Sequence, residues 1–199
     1  MPHFLLQQVS TMQWTELMDH LLSEIPSYTP ESLSAALVSI PFPPAYLALF
    51  PLLHAAGCEL LVVSDANSYF IEAILAHHDC LKYFRKIYTN PARWENGRLR
   101  VDKLMQQPHG CARQCAVNIC KSVCLRDYLG ERGEADRMLF YVGDGSNDYC
   151  PASMLSSEDH VFPRKGFDLE FKCLESPPLA QVHVWSTVEE MMEMMKKLL

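Results

Sequence analysis

A short apolar run that ends in a Gly-Asp-Gly turn most restricts what this chain can fold into. Met138–Val142 is typical of a buried strand, and the turn that ends it carries Asp144. A second acid, Asp148, follows within one turn of chain. Two carboxylates held together at the end of a buried strand repel each other unless a cation or donors compensate them. Because oxygen ligands suit Mg²⁺, Asp144 and Asp148 are candidate metal ligands; an ordinary strand followed by a turn is the alternative.

The composition narrows the class of protein. The chain has 199 residues, 49% of them hydrophobic and 21% charged, as in an ordinary globular protein of one domain with at most a small appendage. The net charge of −7 favours neither nucleic acid nor an anionic membrane as a partner. The apolar runs are shorter than a membrane span. Eight cysteines without a recognisable secretory signal predict reduced thiols and a cytoplasmic location.

The order of secondary structure predicts the fold class. Residues 1–57 have helical spacing, with Thr29 as a cap and Pro30 at the first position of a helix. From Cys58 onward, apolar strands alternate with helices, which predicts an α/β protein with a doubly wound parallel sheet. Leu61–Val63 and Leu139–Val142 are both expected in that sheet, and ligands bind at the carboxyl ends of such strands. The predicted strands are 59–64, 86–89, 138–142, 160–162 and 181–185, the predicted helices are 45–56, 68–78, 118–129 and 187–199, and a polar loop is expected over 91–108.

Two further segments lie where a ligand is expected. Ser64–Asn67 comes at the change from strand to helix, where a hydroxyl and free helix-end amides can bind an anion. The same pattern is also typical of an ordinary helix cap. Lys121 lies near the start of a predicted helix and, taken alone, is as consistent with a solvated surface group.

Four motifs follow one another along the chain. They are Ser-Asp-Ala-Asn at 64–67, Asn-x-Cys-Lys at 118–121, Tyr-x-Gly-Asp-Gly-x-Asn-Asp-Tyr-Cys-Pro at 141–151 and Phe-Pro-Arg-Lys-Gly-Phe at 162–167. Taken in this order, they resemble the phosphoethanolamine/phosphocholine phosphatases of the haloacid dehalogenase superfamily, which include pyridoxal-phosphate phosphatases and plant pyrophosphate-specific relatives. The resemblance covers most of the chain from Trp14 onward.

The resemblance implies a fold, a reaction and a set of site residues. It implies a Rossmann-like phosphatase core over 43–199 and a helical cap remnant over 1–42. It also implies Mg²⁺-dependent hydrolysis of a small phosphorylated metabolite through an aspartyl-phosphate. Lys121 would be catalytic, between the phosphate and the nucleophile. The substrate-binding residues would be Ser64, Asp65 and Asn67, and the metal ligands Asp144 and Asp148.

One element of the family pattern is absent. The family attacks phosphate with the first Asp of an Asp-x-Asp-x-Thr loop at the end of its first, central strand, and no Asp-x-Asp occurs in the 199 residues. Two expectations follow. Either this is a truncated, inactive phosphatase that lacks that strand, or it is a non-catalytic relative that binds phosphate or a partner.

The cysteines allow two readings. His109, Cys111, Cys115, Cys120 and Cys124 fall within sixteen residues, a density that suggests zinc. Their spacing lacks the paired Cys-x₂-Cys of many structural sites, so free thiols that pack a loop are the other reading. Cys150 is expected to pack rather than to act as a nucleophile. The methionine-rich C-terminus is expected to be a packed helix.

Overall fold

The computed structural model describes residues 12–113, 115–132 and 137–199. The helical prediction for residues 1–11 therefore lies outside the described residues. The helices are α1 (Trp14–Glu24), α2 (Pro30–Val38), α3 (Ala45–Ala55), α4 (Ser68–His77), α5 (Lys121–Arg132), α6 (Tyr149–Ala152), α7 (Asp168–Glu175) and α8 (Val188–Lys196). The strands are β1 (Leu60–Asn67), β2 (Phe84–Asn90), β3 (Ala92–Glu95), β4 (Arg98–Val101), β5 (Phe140–Gly143), β6 (His160–Pro163) and β7 (Gln181–Val182).

Local sequence signals explain where several helices begin. Thr29 caps α2 as predicted, since its Oγ1 accepts from the Ser32 N–H at 3.2 Å and Pro30 takes the first position. Thr187 caps α8 in the same way. The helix predicted from Asn118 begins instead at Lys121, because the Ile119 N–H turns back to the Ala116 carbonyl at 3.3 Å.

The strands form separate sheets, which corrects one prediction. β1 pairs with β2 in parallel, and β5, β6 and β7 form a second parallel sheet in that order. The α/β class with parallel strands is confirmed. The single sheet expected to contain both Leu61–Val63 and Leu139–Val142 is not found. The physical reason is that no strand in the described ranges hydrogen-bonds to both β1 and β5.

A hairpin replaces part of the predicted polar loop. β3 and β4 pair antiparallel within residues 91–108, which were expected to be irregular. The reversal falls at Asn96 and Gly97, whose φ angles are 50° and 72°. Asparagine and glycine tolerate this left-handed region and favour two-residue hairpin turns. The alternating side chains of Ala92–Glu95 and Arg98–Val101 then put alternate residues on the same face.

The chain divides into two compact units. The first contains residues up to Phe42, Leu53–Pro108 and Ala116–Ile119, and the second contains Pro43–Leu52, His109–Cys115 and Cys120–Leu199. The assignment of 1–42 as a cap remnant and 43–199 as the core stays a prediction.

Each unit has its own apolar core. In the first, Leu22, Leu99 and Val101 are buried, and Trp94 packs beside them. In the second, a larger cluster lies around the sheet β5–β6–β7, and its buried members are Leu125, Ala152, Leu155, Val161, Leu169, Cys173 and Ala180.

The C-terminal helix packs as the sequence indicated. Met191 and Met195 of α8 are buried, which confirms the packed C-terminal helix.

Across the helices of the described segments, none combines the length and apolarity needed to cross a bilayer.

Candidate functional site

The acidic loop of the second unit is closed by one carboxylate. Asp148 is buried, with 3% of its surface exposed, at the end of the loop that follows β5. Its Oδ2 accepts from the Asp144 N–H at 3.1 Å and from the Gly145 N–H at 2.9 Å. The carboxylate therefore binds the backbone of its own loop and fixes the turn that carries Asp144.

The other oxygen of Asp148 binds two side chains. Lys121 Nζ donates to Asp148 Oδ1 at 2.6 Å, and the Tyr141 hydroxyl donates to the same oxygen at 2.7 Å. The lysine and aspartate side chains are 11% and 5% exposed, so this ion pair is nearly shielded from water. Buried charges are tolerated when each is paired and hydrogen-bonded. Four donors on one carboxylate meet that condition.

Tyr141 remains a donor in this arrangement. Burial raises the pKa of the Tyr141 phenol well above its ordinary value, and the negative charge of Asp148 raises it further. The hydroxyl is therefore protonated at any physiological pH and can donate to the carboxylate.

Gly143 is required by the packing of Asp148. A Cβ built on Gly143 would lie 2.6 Å from Cγ and 2.7 Å from Oδ2 of Asp148. Real side chains do not approach so closely, so any larger residue would displace the carboxylate. The glycine that ends β5 thus leaves the space that the buried acid occupies.

Asp144 has different surroundings from Asp148. Its side chain is exposed, and its carboxylate has no hydrogen-bond or ion-pair partner within the described residues. Its carbonyl oxygen accepts from the Leu169 N–H at 3.0 Å, which anchors this point of the loop to α7. Of the two predicted metal ligands, Asp144 offers free oxygens for a hard cation such as Mg²⁺. Asp148 is already engaged by protein donors.

The strand-to-helix segment of the first unit forms a second group. Ser64 is half-buried, and its Oγ accepts from the Ala66 N–H at 3.2 Å. Asn67 is buried and caps α4, since its Oδ1 accepts from the Phe70 N–H at 3.0 Å. The prediction that this segment caps a helix is therefore confirmed at Asn67. Its predicted part in substrate binding stays a prediction.

Two buried asparagines that sequence reasoning missed hold Asp65. Asn90 Nδ2 donates to Asp65 Oδ1 at 3.2 Å and to the Asp65 carbonyl at 3.0 Å, and Asn118 Nδ2 also donates to Asp65 Oδ1. Asn90 and Asn118 are fully buried, and a bond of 3.3 Å joins them. Their positions in the sequence could have pointed to both residues: Asn90 is the last residue of β2, and Asn118 is the first residue of the Asn-x-Cys-Lys motif.

The predicted site residues thus fall into two groups, one in each unit. Ser64, Asp65 and Asn67 belong to the first, and Lys121, Asp144 and Asp148 to the second. The structure brings Lys121 and Asp148 into direct contact.

Known proteins resemble the chain along its length. Inorganic pyrophosphatase 2 of Arabidopsis thaliana is 37% identical over 196 residues, covering 93% of this chain and 70% of that protein. The human phosphoethanolamine/phosphocholine phosphatase is 38% identical over 149 residues, covering 70% of this chain and 54% of that protein. The chain therefore spans about half the length of the human relative.

A solved structure supports the fold. A HAD family hydrolase from Salmonella enterica serovar Typhi matches with a TM-score of 0.60 at 15% identity, covering 89% of this chain and 55% of that one. At this identity the match concerns the fold alone, which is the α/β fold of the haloacid dehalogenase type. The family model described as "Putative Phosphatase" matches residues 1–199. This chain therefore belongs to the putative phosphatase family.

Proposed function

We propose that this chain provides the charge-stabilising and metal-binding part of a phosphatase site for small phosphorylated metabolites. The observation that carries the proposal is the Asp148 carboxylate, which binds Lys121 and the loop of Asp144 at the same time. As a result, the Lys121 ammonium and the exposed carboxylate of Asp144 are held at the carboxyl end of a parallel strand. Ligands bind at this end of such sheets.

The residues fit a divalent cation at one position. Asp144 would hold Mg²⁺ through its exposed carboxylate, and Asp148 would orient the loop and the waters around the metal. Mg²⁺ bound by few protein ligands keeps several waters, which suits a loop with one free carboxylate. When bound, the metal would neutralise charge on a phosphoryl oxygen.

The chain's own residues would act on the substrate by position and charge. The Lys121 ammonium would stabilise negative charge on a transferring phosphoryl group, in keeping with its buried ion pair. Ser64 would bind a phosphate oxygen through its hydroxyl, and Asp65, held by two asparagines, would contact the substrate. Phosphocholine, phosphoethanolamine, pyridoxal phosphate and pyrophosphate are the candidate substrates.

These residues cannot form a covalent phosphoryl intermediate by themselves. The family's nucleophile and general acid belong to an Asp-x-Asp-x-Thr loop that does not occur in the 199 residues. We therefore expect hydrolysis at background rates from this chain alone. The second candidate function is that of a non-catalytic relative that binds phosphate or a partner. We further propose that the eight cysteines of this chain are reduced thiols or metal ligands, as in a reducing location such as the cytoplasm.

The test separates metal binding from turnover. Mg²⁺ titration by calorimetry should show weak binding to the 199-residue chain, lost in Asp144→Ala. Asp168→Ala removes another exposed carboxylate of the same unit and should leave the binding unchanged. Hydrolysis of p-nitrophenyl phosphate, phosphocholine and pyrophosphate should stay at background in all three proteins. Equal Mg²⁺ affinity in both variants would contradict the metal assignment, and Mg²⁺-dependent turnover abolished by Asp144→Ala would contradict the expected inactivity.

A further inference from the structure

Four cysteines of the second unit converge on one point. The Sγ atoms of Cys111, Cys115, Cys120 and Cys150 all lie within 4.8 Å of one another. They come from three places in the chain: the segment that carries Cys111 and Cys115, the residue before α5, and the second residue of α6. Cys124, which the sequence spacing grouped with the first three, is outside the group, and Cys150 takes the fourth position.

The distances between the sulfurs fit one tetrahedral ion. Zinc binds thiolate at about 2.3 Å in tetrahedral geometry, which places neighbouring sulfurs about 3.8 Å apart. Cys111 Sγ lies 3.7 Å from Cys115 Sγ and 3.5 Å from Cys150 Sγ. A disulfide requires a separation of about 2.0 Å, so these are not bonded pairs. Four sulfurs that all lie within 4.8 Å of one another can surround a position that suits a soft divalent ion.

The Ser122 hydroxyl lies within hydrogen-bond distance of two of the sulfurs. Ser122 Oγ lies 3.1 Å from Cys120 Sγ and 3.1 Å from Cys150 Sγ. Hydrogen bonds to ligand thiolates are typical of structural metal sites, because they stabilise the negative charge on sulfur.

The cluster is adjacent in sequence to the candidate phosphatase residues. Cys120 precedes Lys121, and Cys150 lies two residues after Asp148. An ion bound by both cysteines would hold the start of α5 against the start of α6, and with them the lysine and aspartate of the buried ion pair.

We propose that Cys111, Cys115, Cys120 and Cys150 form a structural zinc site. It is closed, with four protein ligands and no open coordination position, and is distinct from the Mg²⁺ position at Asp144. The site does not depend on the phosphatase proposal, because its evidence is the thiol geometry alone.

Metal analysis of the purified protein tests the site. The 199-residue chain, expressed with added zinc and purified without a polyhistidine tag, should carry about one zinc per chain. Cys150→Ser should lose nearly all of it. Cys124→Ser is the matched control, since Cys124 is a buried cysteine on α5 outside the cluster, and it should retain the full amount.

Cobalt replacement in the unmodified chain gives an independent readout if a variant fails to fold. Co²⁺ should give the intense visible bands of a tetrahedral site and the near-ultraviolet charge-transfer bands of thiolate ligands, and added zinc should abolish both. Three results would overturn the proposal: zinc well below one per chain in the unmodified protein, equal zinc in Cys150→Ser and Cys124→Ser, or an octahedral cobalt spectrum.

Discussion

The Asp148 carboxylate binds four groups at once. Its two oxygens accept from an ammonium, a phenol and two backbone amides. An amide in its place could still accept, but its NH₂ group would face donors and the ammonium would lose its counter-charge. The carboxylate is therefore needed for its charge and also for its acceptor-only character.

Asp148→Asn should strongly destabilise the chain. Removing one partner of a buried ion pair leaves the other charge unpaired, which typically costs about 3–5 kcal/mol. Urea denaturation followed by circular dichroism would measure the loss. Asp127→Asn, at an exposed position on α5, is the control and should change stability by less than about 0.5 kcal/mol. Equal stability of the two variants would refute the assigned role of Asp148.

Gly143→Ala tests the close approach of the loop to Asp148. The added Cβ would meet three atoms of the aspartate side chain at 2.6 to 2.8 Å. Overpacking of this kind costs about 1–3 kcal/mol. Gly130→Ala is the matched control, because a Cβ added at this position of α5 would have nothing within 4 Å. Alanine in place of glycine in a helix should raise the free energy of unfolding by about 0.5–1 kcal/mol. Opposite signs for the two changes in urea midpoint are the expected result.

At the level of elements, α1 and β4 of the first unit are joined by a forked ion pair. Arg100 Nε donates to Asp19 Oδ1 at 2.8 Å and Arg100 Nη2 to Oδ2 at 2.6 Å, while the Val101 N–H also donates to Oδ1 at 2.9 Å. The hydrogen bond from Arg100 is the main cause of a lowered pKa at Asp19.

Asp19→Asn should therefore cost stability at neutral pH and little in acid. Because the folded-state pKa of Asp19 lies below its unfolded value, its contribution is present above the unfolded pKa of about 3.9 and is lost as pH falls through the folded pKa. The pair is partly exposed, so the loss at pH 7 should be about 1 kcal/mol. Urea midpoints at pH 7 and at acid pH would measure it, with Glu193→Gln of an exposed pair on α8 as the control. A pH-independent difference would contradict the assignment.

The elements that the sequence predicted correctly are those whose determining residues are close together in the chain. Strands such as β5 and β6, and caps such as Thr29, follow from residues adjacent in the chain and were predicted. The β3–β4 hairpin was not predicted, because the polar composition of residues 91–108 obscures the Asn96-Gly97 turn.

The site shows the same contrast. Its local motif at Gly143–Asp148 was recognised, while the support of Asp65 by Asn90 and Asn118, which lie 25 and 53 residues away, was not. Cys150 joined the cysteine group for the same reason: only the fold brings it beside Cys111.

At the level of the whole molecule, the sheets have edges to which a strand could add. Within the described segments, β1 hydrogen-bonds to β2 alone and β5 to β6 alone. Unpaired strand edges invite pairing with another chain, and an unsatisfied buried backbone group costs about 1–3 kcal/mol. The family resemblance implies a central strand that ends in Asp-x-Asp-x-Thr.

A chain in which such a strand precedes Met1 should gain stability and activity together. The melting temperature should rise because the strand pairs with open edges. Mg²⁺-dependent hydrolysis of a phosphomonoester or pyrophosphate should appear because the nucleophile is supplied. The control carries the same strand with the first Asp replaced by Asn, and should gain the stability alone. An unchanged melting temperature and unchanged activity would favour the non-catalytic relative.

The four bonds of Asp148 also bear on how the loop moves. The loop amides of Asp144 and Gly145 and the ammonium of Lys121 share one acceptor group, so none of them can be released without disturbing the others. Opening the loop therefore requires several of these hydrogen bonds to break together, so the loop should not fluctuate on the fast timescales of ordinary surface loops. A divalent ion would meet Asp144 on a backbone that is already rigid, and would lose little conformational entropy in ordering it.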